Sequence, residues 1–467
     1  MISRMGLVIS RGFRHAVPDP FVLAVLLTFV TLLAVLVRTD MGFSESVMLW
    51  AGPQGVWSAG LLKFAMQMCL ILVTGHALAS SPPISRLLDR LAALPQSAWQ
   101  GVGLVALTAA TLAVLNWGLG LIAGALMAKR VGVGLEKRGI AVHYPLLAAA
   151  GYVGLLVWHG GFSGSAPLKV AKASEISDIF GPNPPFEAIS IGQTILSPLN
   201  LFVTGGLLVL VPILMSLMSP KKPVHVQAPS RFVHDRESVK KRIIEHDKPW
   251  VPRLLEDSPI VSIALAGLIG LWAWHYYFPP IDSATGIRPP SGLMHLTPDT
   301  VNMTMLLLGL LLHGSPMRYV RAIQDAASGC AGIILQFPLY AGIMGLMASS
   351  GLTAQMASGI GAHATPTTLP IVTLLSAGVV NLFVPSGGGQ WAIQGPIAMQ
   401  AAVDAGVHPA KMVMAVAYGD ELTNMLQPFW ALPLLAITGV RARDIVGYTA
   451  MVMAVAGLWM ALGLWAF

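Results

Sequence analysis

Residues 100–128 read QGVGLVALTAATLAVLNWGLGLIAGALMA. These 29 residues carry no charge and are flanked by basic positions, Arg86 and Arg90 before, Lys129, Arg130, Lys137 and Arg138 after. One membrane crossing takes about 20 apolar residues in a helix. The stretch is too long for one crossing and too short for two. Loops rich in Lys and Arg stay in the cytoplasm, so the chain enters here and returns to the side it left. The reading is a re-entrant hairpin with its tip at Asn116-Trp117-Gly118-Leu119-Gly120.

The composition agrees with a lipid solvent. Hydrophobic residues make up 55% of the 467, charged residues 10%, and mean hydropathy is +0.70, where soluble domains carry about 25% charged residues. Apolar runs at 20–37, 59–80, 145–168, 197–218, 258–278, 299–313, 326–348, 410–439 and 445–467 recur along the whole chain. They are helices rather than barrel strands, which alternate and run only about 10 residues. Of the 28 Lys and Arg, 22 sit in alternate loops: Arg4, Arg11 and Arg14, then two in 81–99, four in 129–144, nine in 219–257, two in 314–325, and Arg441 with Arg443. The net charge of +7 is therefore ascribed to topology and not to nucleic acid. The N-terminus lacks a small-residue cleavage site after a short apolar core, so the first span reads as retained. Cys69 and Cys330 lie in apolar stretches and fit no disulfide framework or metal motif.

Threading the spans through the basic loops gives a first membrane repeat at 1–218 with a cytoplasmic N-terminus. A charged cytoplasmic linker at 219–257, an extra span at 258–278 and a second repeat at 299–467 follow. The second repeat has the same five elements in opposite orientation, including a hairpin at 368–400 entered from outside. The fold class expected is an all-α polytopic membrane protein, an inverted repeat with two opposed re-entrant hairpins and broken transmembrane helices. Residue matches at similar offsets support it. Gln67 pairs with Gln336, Asn116 with Asn381, Tyr152 with Tyr418, and Pro167-Leu168 with Pro433-Leu434.

Four segments at membrane depth are poor lipid-facing helix. They are the tip at Asn116, His159-Gly160-Gly161-Phe162-Ser163-Gly164-Ser165, Pro385-Ser386-Gly387-Gly388-Gly389-Gln390, and Gly419-Asp420-Glu421-Leu422-Thr423-Asn424. Unpaired backbone in hydrocarbon persists only where protein, water or a ligand satisfies it. Helix N-termini there suit an anion; carbonyl ends and hydroxyls suit a cation. The bland alternative is that the glycines only let helices approach; four breaks at equivalent positions favour a site. Asn116, Ser163, Ser165, Ser386, Gly387, Gly388 and Gln390 are the substrate-binding candidates. Asp420, Thr423 and Asn424 are the coupling-ion candidates, since intramembrane acids are costly and usually functional. Asp420 and Glu421 are the deepest acids. His159 next to a Gly-Gly break reads equally as a cap on free backbone. Lys169 is the nearest cation, just beyond these segments. Trp117, Phe162, Trp391 and Phe429 are candidates for a wall against an apolar tail. The Gly-rich run at 385–389 lacks the Gly-Lys-Ser/Thr ending of a phosphate loop.

At these residues the chain resembles the bacterial short-chain fatty acid transporters associated with acetoacetate and butyrate use. The resemblance covers nearly the whole chain and is carried by Pro18-Asp19-Pro20, Thr74-Gly75-His76-Ala77-Leu78-Ala79-Ser80-Ser81, Asn116-Trp117-Gly118, Gly160-Gly161-Phe162-Ser163-Gly164-Ser165, Val384-Pro385-Ser386-Gly387-Gly388-Gly389, Ile393-Gln394-Gly395-Pro396 and Gln427-Pro428-Phe429-Trp430-Ala431-Leu432-Pro433. It implies uptake of short-chain fatty acids through the inner membrane and kinship with the ion-transporter superfamily. It departs from the family pattern at Gln390, where His can stand, and at Glu421, where Gln can.

The leading expectation is a secondary transporter importing a small monocarboxylate by symport with Na⁺ or H⁺, in contact with lipid, with no other cofactor. A homodimer is compatible with it. A channel-like passive pore for small anions is the competing reading; an enzyme would need a nucleophile or metal set, and no such constellation stands in the sequence.

Overall fold

Short polar signals set where the helices begin. Asp19 accepts the Phe21 N–H at 3.0 Å and Pro20 takes the first helical position, opening α1, Pro20–Arg38. Thr297 and Thr300 cap each other reciprocally to open α11, Pro298–His313. At the far end of α11, Gly314 takes φ +71°, a left-handed conformation that glycine adopts without a Cβ clash.

The computed structural model describes residues 3, 5–9, 12, 18–171, 173, 175–176, 186–220, 226–233, 249–281, 297–361 and 364–467, and among these there is no strand. After α1 come α2 (Phe43–Ala51), α3 (Ala59–Ser80), α4 (Pro82–Ala93), α5 (Ala98–Leu115), α6 (Trp117–Lys137), α7 (Tyr144–Tyr152), α8 (Ser165–Lys169) and α9 (Pro198–Leu217). The short helical segments Pro229–Arg231, Trp250–Pro252 and Arg253–Asp257 lead into α10 (Ile260–Tyr277). Then α11 is followed by α12 (Pro316–Ala327), α13 (Ala331–Ser349), α14 (Leu352–Gly361), α15 (Leu369–Phe383), α16 (Gly387–Asp404), α17 (Pro409–Thr423), α18 (Pro428–Thr438) and α19 (Ala442–Ala466). Among the described residues, nine of these helices thus precede α10 and nine follow it. Eight helical stretches among the described residues are long and apolar enough to cross a membrane.

Burial sorts the helices into layers. In α10 only Ser262, Ala266 and Ile269 are buried, while Ile263, Leu268, Leu271 and Trp274 are exposed. A chain exposing so many large apolar side chains has lipid as its solvent. Helix α7 is the opposite case, with every residue from Tyr144 to Tyr152 buried, and so is α17 from Met412 to Leu422. The interrupted helices form the centre.

Four boundaries differ from the sequence reading. The arms of the first hairpin are α5 and α6, reaching Lys137, and each is long enough to cross by itself. The 29-residue count therefore does not decide between a re-entrant hairpin and two crossings; both return the chain to the same side. Second, α17 stays helical through Thr423, and the break falls at Asn424–Leu426 and Gln427, ahead of Pro428. Gly419 does not break the helix; it lets α17 meet α15, since a Cβ there would stand 2.2 Å from the Leu374 carbonyl oxygen. Third, the surface helices α2, α4, α12 and α14 were not separated from loops and spans. Fourth, Asn116 and Asn381 do not occupy like positions: Asn116 caps α6, whereas Asn381 lies within α15 and Ser386 caps α16.

Within the expected linker, 226–233 is strapped onto the body. Tyr144 N–H donates to the Gln227 carbonyl at 2.9 Å, and the Ser230 hydroxyl donates to Glu136 at 2.6 Å. Arg4, Arg11 and Arg14, and most of the linker's basic residues from Lys221 to Lys248, lie outside the described residues.

Candidate functional site

Both hairpin tips converge on the break between α7 and α8. On the first, Trp117 N–H donates to Ser163 Oγ at 3.0 Å, and Phe162 N–H donates to the Val114 carbonyl at 2.8 Å. On the second, a Cβ on Gly387 would stand 2.8 Å from both the His159 and Trp158 rings. A Cβ on Gly388 would sit 3.8 Å from Ser165 Oγ and 3.8 Å from Lys169 Cε. Ser163, Ser165, Ser386, Gly387 and Gly388 are thus brought around one loop.

The two tips differ in what they leave free. The first four N–H groups of a helix have no partner within it. At α6, Trp117 donates to Ser163, Gly118 and Leu119 donate to Asn116 Oδ1 at 3.0 and 3.1 Å, and Gly120 donates to the Asn116 carbonyl. That end is closed, so Asn116 and Ser163 serve as caps there. At α16, Ser386 Oγ accepts from Gly389 and the Ser386 carbonyl from Gln390. Among the described residues nothing accepts from the N–H of Gly387 or Gly388. Ser165, Lys169, Ser386 and Gly388 are all half-buried, so this end faces accessible space.

Gln390 lies one turn further along α16 and points between the hairpin arms. Its amide nitrogen donates to the Ala377 carbonyl and to Gln394 Oε1, each at 2.9 Å. It does not join the tip residues.

Behind the loop sits a buried polar core. Ala166 N–H donates to His159 Nε2 at 3.1 Å, which places the ring proton on Nδ1, where it is donated to Asp420 Oδ1 at 2.9 Å. The backbone N–H groups of His159 and Gly160 donate to Glu421 Oε2 at 2.8 and 3.3 Å. His159 therefore both caps free backbone and ties α17 to the break. Asp420 and Glu421 are 1% and 0% exposed, and Asp420 Oδ2 and Glu421 Oε1 have no partner among the described residues.

Thr423 and Asn424 meet at Asn381. The Asn381 amide nitrogen lies 2.6 Å from the Asp420 carbonyl, 3.0 Å from Thr423 Oγ1 and 2.9 Å from Asn424 Oδ1. Three oxygens thus share the two protons of one amide group. Tyr152 ties this break to α7, its hydroxyl 2.7 Å from the Asn424 carbonyl and 2.9 Å from that of Gln427.

Of the candidate wall residues, Trp117 and Phe429 fall in one aromatic cluster with Phe64, Phe337 and Trp430. Trp391 packs under its own helix at Gly395, and Phe162 is fixed by its backbone. The ring beside Gly387 is Trp158, stacked on His159 at 4.4 Å. Sequence reasoning missed Trp158, the placement of Lys169 and the hub at Asn381; only the proximity of Lys169 in the chain hinted at it.

A family model described as "Short chain fatty acid transporter" matches residues 1–467. The chain belongs to that family. A relative from Escherichia coli (strain K12), named as a short-chain fatty acid transporter, is 39% identical over 468 residues, covering 100% of both chains. One of the same name from Haemophilus influenzae is 36% identical over 96% of each. Among solved structures, the Alcanivorax borkumensis YdaH transporter matches at 17% identity and TM-score 0.45, covering 96% of this chain and 97% of its own. Neisseria gonorrhoeae MtrF matches at 16% identity and TM-score 0.37, covering 98% and 96%. The family is one of transporters and not of enzymes, and with eight membrane-length helices this member is a multi-pass protein of the bacterial inner membrane.

Proposed function

We propose that this transporter imports short-chain fatty acids by cation symport, binding the carboxylate where the N-terminus of α16 meets Ser165. The observation that carries the site is the pair of N–H groups on buried Gly387 and half-buried Gly388 without acceptors among the described residues, beside the half-buried Ser165 and Ser386. Backbone donors at a helix N-terminus hold an anion through hydrogen bonds and the dipole end. The coupling cation sits with Asp420, Thr423 and Asn424: the Asp420 backbone carbonyl, Thr423 Oγ1 and Asn424 Oδ1 gather at the Asn381 amide, while the Asp420 carboxylate faces His159. His159 links the two sites, since it touches Asp420 through its ring and borders Gly387. Alternating access follows if the hairpin α15–α16 moves against α8.

The nine helices on each side of α10 support an inverted repeat of 1–218 and 299–467, with the linker 219–257 cytoplasmic and 258–278 as the extra span. In that topology both hairpins are re-entrant and the α16 tip opens from outside.

Proteoliposome counterflow with acetate, butyrate and hexanoate, under separate Na⁺ and pH gradients, tests the function. Accumulation above equilibrium under one of the gradients is expected. Flux that only dissipates a carboxylate gradient, indifferent to both ions, would make it a passive pore.

A further inference from the structure

We infer that Lys169 is the counter-ion of the transported carboxylate and that Glu175 holds its ammonium when the site is empty. The inference rests on the site proposed above and names the charge that site needs. Two N–H groups and two hydroxyls can hydrogen-bond a carboxylate, but none of them neutralises it. The four interrupted segments contain no Lys or Arg. The fold brings one from the end of α8. Lys169 Cε is 3.8 Å from the point a Gly388 Cβ would occupy, the same distance as Ser165 Oγ. The lysine stem therefore runs beside the open N-terminus of α16.

The ammonium is engaged elsewhere in this structure. Lys169 Nζ lies 3.1 Å from Glu175 Oε2, and the two side chains are 34% and 33% exposed. A half-exposed ion pair of flexible side chains is weak and exchangeable. Glu175 presents the same functional group as the substrate. It is an internal competitor, and an incoming carboxylate takes over its partner with little net change in charge pairing. Lysine suits this better than arginine, because a point charge on a long stem can pivot between two acceptors, whereas a guanidinium fork favours one bidentate partner. Release of the substrate is aided as well, because Glu175 is at hand to take the ammonium back.

Competition fixes the signs of two substitutions. Removing the cation weakens binding, and removing the competitor strengthens it, because a site available only part of the time binds with proportionally lower apparent affinity. The test is butyrate counterflow in proteoliposomes. Lys169→Met should raise KM by about ten- to a hundredfold, the loss of a hydrogen bond to a charged group. Lys169→Arg should retain more affinity than Lys169→Met. Glu175→Gln should lower KM, by roughly two- to tenfold for a competitor that occupies the lysine most of the time.

A merely structural ion pair predicts the same sign for both partners. The inference is overturned if Glu175→Gln raises KM as Lys169→Met does, or if Lys169→Met keeps the parental KM. Should Lys169→Met fail to give monodisperse protein, Lys169→Arg and Glu175→Gln decide; a parental KM in Glu175→Gln then rejects the latch. Gly388→Ala separates this inference from the site on which it rests. A parental KM in Gly388→Ala rejects the site itself, while an impaired Gly388→Ala beside a parental Lys169→Met rejects only the role of Lys169.

Discussion

Gly388→Ala is the substitution that distinguishes ligand binding from packing at the α16 tip. The added Cβ would meet Lys169 Cε and Ser165 Oγ at 3.8 Å and Ser165 Cβ at 4.0 Å. All three are ordinary van der Waals separations, so no neighbour has to move. Gly388 is the second residue of an α-helix and has no positive φ, so alanine fits the backbone. By restricting the unfolded chain the change should even stabilise the protein by about 0.4–1 kcal/mol. The methyl group nevertheless fills the space between α16, Ser165 and Lys169. A carboxylate bonded to the Gly388 N–H would lose its approach to the serine hydroxyl or to the N–H itself. One lost hydrogen bond to a charged group corresponds to about 1.5–3 kcal/mol, or roughly 10–150-fold in affinity. The assay is paired: butyrate counterflow for KM, and the thermal midpoint in detergent with and without butyrate, since a ligand that binds only the folded state raises it. The expected result is a midpoint equal to or above the parent's without ligand, a weakened butyrate shift and a raised KM. A parental KM with a parental butyrate shift would refute the site.

Gly387→Ala should behave differently, because its Cβ would stand 2.8 Å from the buried His159 and Trp158 rings. Overpacking of this kind costs about 1–3 kcal/mol, so a lowered thermal midpoint is expected, and an unchanged one rejects the contact. Gly387→Val, the larger change, reports on this packing more than on the ligand. Asp420→Asn keeps an oxygen for the His159 Nδ1–H but removes the charge. Accumulation driven by a gradient should vanish while counterflow persists; full accumulation would show that Asp420 does not couple. Tyr152→Phe leaves the Asn424 carbonyl with the Gln427 N–H but takes from the buried Gln427 carbonyl its hydroxyl donor, at a cost of about 1–3 kcal/mol. Its midpoint should fall further than that of Tyr418→Phe, whose hydroxyl donates to Asn200 Oδ1 while the Thr204 hydroxyl still does so; the reverse order would refute the role of Tyr152.

The spans were legible because length and hydropathy are one-dimensional quantities. The stretch 197–218 became Pro198–Leu217, and 258–278 became Ile260–Tyr277. The surface helices were not legible, since Pro82–Ala93 and Pro316–Ala327 are polar on one face and short, and between apolar runs they look like loops. The last break lies later than the sequence suggests, because Gly419 reads locally as a helix breaker. Its actual constraint, the Leu374 carbonyl of another helix, is not written in local sequence. The place of Lys169 at the tip is illegible for the same kind of reason. It lies outside every Gly-rich segment, and only the folding of α8 against α16 returns it to the tip.

If the architecture is duplicated and binds at the α16 tip as proposed, the difference between the two hairpin tips explains why it holds one carboxylate rather than two. Both tips present a helix N-terminus to the same loop, and each would attract an anion if left open. At α6 the cap is asparagine, whose carbonyl oxygen takes two N–H groups, and Ser163 takes a third. At α16 the cap is serine, whose single oxygen takes one, and the next two residues are glycines that put no side chain in front of their own N–H groups. The same geometry is thus a closed cap in one half and an open donor pair in the other. If this asymmetry locates the substrate, Asn116→Ser should loosen the first tip and lower the thermal midpoint. An Asn cap differs little from Ser in strength, but here it also serves two donors, so the loss is about one hydrogen bond, roughly 1 kcal/mol. Butyrate KM should stay within about twofold of the parent, because no bond to the carboxylate is touched, and 1.4 kcal/mol would be needed for tenfold. A KM raised tenfold or more by Asn116→Ser, with the midpoint unchanged, would place the carboxylate at the first tip and overturn the assignment to the second.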